Sequence, residues 1–124
     1  MKDRIKLINY NGKQIVFIDF SSLSAKDGQF IKTIKEVTKI GVKMNIKDSL
    51  MLIDVGGSSL SANSSDVIEA FEEAASTLKK YAKKVAVIGA TGEREFALKV
   101  VNDISGLNAC PFASIDEAKS WLIQ

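Results

Sequence analysis

The chain has 124 residues, 46% hydrophobic and 26% charged, which is enough for one packed domain and too apolar for a disordered segment. Its 17 basic and 15 acidic side chains leave a net charge of +2, too small an excess to make nucleic acid or an anionic membrane surface the expected partner. There is no histidine and only one cysteine, Cys110, so the commonest general base, an intramolecular disulfide and any multi-cysteine metal site are all excluded.

The first six residues mix charged and apolar side chains and lack the apolar core of a signal peptide. No run reaches the ~18 apolar residues of a membrane span. Residues 5–8 and 14–20 are β-rich and separated by Asn9-Tyr10-Asn11-Gly12-Lys13. Asn-Gly tolerates two positive φ values in succession, which predicts a type I′ hairpin. Ile15-Val16-Phe17-Ile18 is apolar throughout, as expected of a strand covered on both faces. Ser21-Ser22-Leu23-Ser24 offers caps for a helix running to about Met44, with Phe30, Ile34, Val37 and Gly41 as its inner stripe and Lys32, Lys35, Lys39 and Lys43 on its solvated side.

Leu50-Met51-Leu52-Ile53-Asp54 predicts a buried parallel strand. The Gly/Ser-rich stretch of residues 55–62 follows. Asn63, with Asp66 three positions on, reads as the N-cap of a second helix ending near Tyr81, its buried stripe being Val67, Phe71, Ala74, Leu78 and Ala82. Val85-Ala86-Val87-Ile88 is the next strand. Gly89-Ala90-Thr91-Gly92 turns it into a third helix with Phe96, Val100, Val101 and Ile104 facing inward and Gly106 as C-cap. A short strand over residues 108–112 is expected at an edge because of Pro111. Ser114 caps a last helix with Ile115, Ala118 and Leu122 inward and Trp121 beside them. The order ββαβαβαβα implies one α/β domain over residues 1–124, with a mixed, mostly parallel sheet of about five strands.

This order, opened by Asn11-Gly12-Lys13-Gln14-Ile15-Val16-Phe17-Ile18-Asp19-Phe20, resembles the STAS superfamily of sulfate-transporter and anti-sigma-factor-antagonist domains, in its divergent SpoIIAA-like branch. Residues 50–57, 85–92, 101–106 and 114–122 carry the rest of the likeness. The resemblance implies helices largely on one side of the sheet, a bacterial or archaeal cytoplasm, and function by binding rather than catalysis. It also implies that the second helix begins at a phosphorylatable serine in an Asp-Ser-Ser-Gly motif. Here Asn63-Ser64-Ser65-Asp66 stands in that place, with Asn for the Asp and Asp for the Gly.

Ser64 and Ser65 are therefore candidate phosphosites, since a phosphate at a helix N-terminus meets free backbone N–H groups. Asp66 already brings negative charge to that turn, and plain helix capping is the competing reading. Asp54, Gly56, Gly57, Ser58, Ser59 and Asn63, together with Gly89, Thr91, Gly92 and Arg94, form a candidate binding edge at the C-terminal ends of two parallel strands. Two ordinary strand–helix turns are the competing reading, and neither loop matches a Walker or dinucleotide fingerprint. A phospho-receiver site built on Asp54 and Thr91 fails, because only one helix precedes Asp54 and Cys110 stands where a lysine would be needed. Asp54 instead suits the ordering of its own loop. Cys110 lacks a histidine to activate it and reads as a small filler.

No cofactor, no metal and no catalytic residue is expected. The expected partner is a protein, and a weak homodimer is compatible with the sequence. The other reading is a carrier holding a lipid or nucleotide among Phe30, Ile34 and Phe71, which requires a hollow interior.

Overall fold

A computed structural model describes residues 2–24 and 29–124. After a short 3-10 turn (Lys2–Arg4), the elements run β1 (Ile5–Tyr10), β2 (Lys13–Asp19), α1 (Phe30–Met44), β3 (Ser49–Asp54), α2 (Ser65–Leu78), β4 (Ala82–Ile88), α3 (Glu93–Ser105), β5 (Cys110–Phe112) and α4 (Ile115–Leu122). The five strands form one sheet in sequential order. Only β1 and β2 are antiparallel, with Tyr10 opposite Lys13, and every other pair is parallel. The hairpin turn has φ of 50° at Asn11 and 82° at Gly12, the two positive values of a type I′ turn.

A sheet wound steadily in one direction by right-handed crossovers places successive helices on the same face. Accordingly α1, α2 and α3 bury Ile34, Val37, Phe71, Ala74, Leu78, Ala97 and Val101 against Val16, Ile18, Met51, Ile53, Val85 and Val87. Three phenylalanines lie at the heart of this core, with Phe71 edge-on to Phe20 and Phe30 at ring-centroid distances of 5.6 and 5.8 Å. Alternate strand residues Ile15, Leu52 and Ala86 face the other way and are covered by Ala118 and Leu122 of α4. Trp121 extends that cover, resting on Phe112 and lying under the Lys84 ammonium.

Left-handed residues end two of the helices. Asn45 at the end of α1 donates its N–H to Val42, and Gly106, the expected cap of α3, donates to Asn102. The Asn102 side chain then both donates to and accepts from the Ala109 backbone, pinning the approach to β5. Ser114 accepts from the Glu117 N–H and caps α4 as expected.

Several expectations are corrected. Helix α1 begins at Phe30, and residues 21–24 are not helical; residues 25–28, which the expected helix also included, lie outside the described residues. The N-cap of α2 is Ser64 and not Asn63, so Asp66 stands one position earlier in the first turn, and the helix ends at Leu78. Strand β4 begins at Ala82, and β5 is three residues long. Helix α3 is rotated from its expected orientation. Ala97, Leu98, Val101 and Ser105 are buried, whereas Phe96 is 62% and Ile104 63% exposed. Small Ala97, fully buried, lets α3 approach the core closely, and close packing outweighs the larger side chains on the adjacent row. Ile115, also expected inward, is 37% exposed.

Gly12 tests the hairpin in isolation, because a Cβ placed there would meet nothing within 4 Å. Gly12→Ala should therefore cost only the left-handed strain of an L-residue, about 1 kcal/mol, read as a lower urea midpoint at unchanged slope.

Candidate functional site

The candidate edge lies where β2, β3 and β4 end side by side. Asp19 and Asp54, one on each of two neighbouring strands, are register partners. Each turns back to order its own exit: Asp54 Oδ1 accepts the Gly56 N–H at 2.8 Å, and Asp19 Oδ1 accepts both the N–H and the hydroxyl of Ser21. Arg4 closes the group from the hairpin side, donating to the Asp19 and Ser21 carbonyls at 3.1 and 3.2 Å. These carboxylates sit as a pair in space, but their oxygens serve backbone turns.

Hydrogen bonds tie the exits together beyond the sheet. Phe20 donates to Asp54, Ser22 to Gly56, Ser59 to Leu23 and Val55 to Ile88, all through the backbone at 2.8–3.0 Å. Ser58, buried within the loop, donates its hydroxyl to the Val55 carbonyl and accepts from Leu60 N–H. Leu23, Val55 and Leu60 plunge into the core beneath. The Gly/Ser stretch is thus an anchored ledge. Its glycines answer to steric demand: a Cβ on Gly89 (φ +81°) would lie 2.4 Å from Gly56 N and 2.5 Å from its Cα. Gly57, at φ +66°, lies against Ser22.

The loop after β4 is closed in the same way. Arg94 folds back so that Nε donates to the Gly89 carbonyl at 2.8 Å and a terminal nitrogen donates to Thr91 Oγ1 at 3.2 Å. Gly92 precedes α3 at φ +59°. Gly56 and Gly89 are therefore in direct contact, with Asp54 beside them, while no hydrogen bond among the described residues joins residues 63–65 to residues 89–94. At the start of α2 the Asn63 N–H donates to Ser61 Oγ, and the Ser64 carbonyl accepts from Ile68. The Ser64 hydroxyl makes no capping bond, and Ser65 is exposed.

Cys110 is half-buried at the start of β5. Among the described residues no cluster of three or more acidic or cysteine side chains could hold a metal ion, and no helix is long and apolar enough to cross a membrane. Beneath the edge, Phe30, Ile34 and Phe71 are buried in contact with the rest of the core. A cavity on the other side of Phe71, lined by neither Phe30 nor Ile34, measures about 40 Å³ and is bounded by apolar residues such as Phe20 and Leu98.

Sequence reasoning missed the exposed Phe96, in the first turn of α3 next to the Gly89–Gly92 loop. The row Phe96, Val100, Ile104 has perfect i, i+4, i+8 spacing. The row beside it, Ala97, Leu98, Val101, has the small residue that helix packing needs, and that small residue was the available signal.

No family model matches the chain, and neither does any curated protein. Among solved structures it is similar to the crystal structure of an uncharacterised DUF3478-family protein with a SpoIIAA-like fold from Shewanella loihica PV-4. The TM-score is 0.65 at 17% sequence identity, covering 95% of this chain and 91% of that one. The fold is therefore SpoIIAA-like, the architecture that the resemblance to STAS domains implied.

The Gly56–Gly89 contact predicts a larger penalty than the hairpin glycine. Gly89→Ala combines left-handed strain with a backbone collision and should cost roughly 2–4 kcal/mol in urea unfolding. A loss no greater than that of Gly12→Ala would mean the two loops stand apart in solution.

Proposed function

We propose that this protein is a non-catalytic binding module that recognises a partner protein through the ledge before α2, the α2 N-terminus and the adjoining first turn of α3. The observation that carries this reading is the filled interior: between the sheet and the helices the void is about 40 Å³, against about 300–1,000 Å³ for a small-molecule pocket, and the larger opening between α1 and α2 is an open groove with lysines along one wall. A lipid or nucleotide carrier would need Phe30, Ile34 and Phe71 to part, and the Phe30 and Phe71 rings are in edge contact. The chemistry of the edge supports the same conclusion. Asp19, Asp54, Ser58, Thr91 and Arg94 are engaged within the fold, which among these residues leaves no free nucleophile beside a base.

Of the uncommitted groups on that edge, two carry the proposal. Ser64 offers a hydroxyl without a capping bond at the positive end of a 14-residue helix, where an added phosphate would change the face by about two charges. Phe96 offers an exposed aromatic ring, the residue type that anchors protein interfaces. Partner recognition by Phe96, tuned by charge at Ser64, is the mechanism we infer. The cytoplasm is the compartment this role would occupy.

Affinity capture from native lysate with the wild type, Ser64→Asp and Phe96→Ala tests it. Phe96→Ala should lose the captured protein while keeping the wild-type unfolding midpoint within about 0.5 kcal/mol, since an exposed side chain contributes little to stability. Ser64→Asp should change the amount captured. Identical partner lists for all three proteins would remove this edge as the recognition surface.

A further inference from the structure

On the outer side of the helix layer, away from the strand ends, α1 and α2 leave a groove of about 620 Å³ between them. It exists because α2 turns small side chains toward α1: Ala70, Ala74 and Thr77 fill less than the gap between the two helices. With Ile34 and Val42 from α1 they form an apolar floor. Along the α1 wall runs a row of exposed lysines, Lys35, Lys39 and Lys43, at i, i+4 and i+8.

The charge along this groove is uneven. At the Lys35 end the α2 wall carries Asp66, Glu69 and Glu73, which line the adjoining depression with Lys35. Beyond Glu73 the α2 wall offers only Thr77 to Lys39 and Lys43. Neither lysine belongs to an ion pair among the described residues, whereas Lys32 on the same helix reaches Glu36. Two lysines outside any ion pair among the described residues, their backbone positions about 6 Å apart, one helical turn, thus border an apolar strip. That pattern is the complement of a helix with carboxylates at i and i+4 beside a row of aliphatic side chains.

We propose that the α1–α2 groove docks an acidic amphipathic helix of a partner protein, with Lys39 and Lys43 pairing its carboxylates and the floor of Ile34, Val42 and Ala74 taking its apolar face. A nucleic-acid backbone is a poorer match. It would gain nothing from the apolar floor and would be repelled by Glu73. The groove is a second surface and uses neither Ser64 nor Phe96, although it shares with the edge the premise of a protein partner.

The test uses a fluorescein-labelled peptide about five turns long, helical by design, with leucines on one face flanked by glutamates. Fluorescence anisotropy should show saturable binding to the wild type that weakens with salt. Lys39→Glu/Lys43→Glu should reduce affinity on the order of tenfold or more, while Lys99→Glu, on α3, and Phe96→Ala should leave it unchanged. All three lysines and Phe96 are exposed, and circular dichroism checks that each variant folds. Loss of binding in Phe96→Ala with retention in Lys39→Glu/Lys43→Glu would overturn the groove and leave the edge standing. Failure of the wild type to bind would overturn it as well. Equal binding of a glutamate peptide without leucines, or equal competition by single-stranded oligothymidine, would show a general anion surface and also overturn it.

Discussion

Three adjacent strands, β2, β3 and β4, are apolar on both faces, and the rest of the molecule follows from the need to cover them twice. Val16, Ile18, Met51, Ile53, Val85 and Val87 point one way, and Ile15, Leu52 and Ala86 point the other. Exposing either side would forfeit on the order of 25 cal/mol for each Å² of apolar surface. The crossovers supply three helices to one face. The other face receives only α4, eight residues long, and its cover is correspondingly economical. Ala118 and Leu122 sit on the strands, and Trp121 widens the contact between Phe112 and Lys84. Lys84 also donates to the Trp121 carbonyl, and Lys13 to that of Ile123, holding the end of α4 against the sheet.

This double cover decides which surfaces are left open. The space between sheet and helices is spent on packing, with aromatic rings meeting edge to face at its centre. The strand ends are spent on one another: Asp19 and Asp54 order their own turns, and Gly56 and Gly89 touch through the backbone. What remains is the outside, the α2 N-terminus and the exposed row of α3 at one end and the lysine-lined groove at the back of the helix layer. The two surfaces differ in chemistry, with an exposed aromatic ring and a serine hydroxyl that makes no capping bond at the edge and an apolar floor beside lysines in the groove.

Much of this was legible in the residues. Asn11-Gly12 marks the hairpin because few other pairs accept two positive φ values, and the unbroken apolar runs of β2, β3 and β4 can only be strands buried on both sides. Gly106 and Ser114 end and begin helices for reasons internal to their own side chains. The candidate edge was placed by the same logic, since loops after parallel strands must gather at one end of the sheet. Its inward use was half visible: Asp54 was expected to bind its own loop, but the Gly56–Gly89 contact joins residues far apart in sequence and leaves no local trace. The face of α3 was misread because hydrophobicity ranks Phe96 and Ile104 above Ala97, while the space available against α2 ranks them in reverse. The groove was invisible for a related reason. Lys39 and Lys43 look like any solvated helix face until α2 is laid beside them with alanines in the contact.

The claim on which this account turns is that the space between the sheet and its helices is full. Native mass spectrometry of the protein purified from its own cells without denaturation measures this most directly. A filled interior predicts the mass of the bare chain, with no small molecule retained. A stoichiometric lipid or nucleotide, released only when the chain unfolds, would show that the helices open around a ligand and would contradict it.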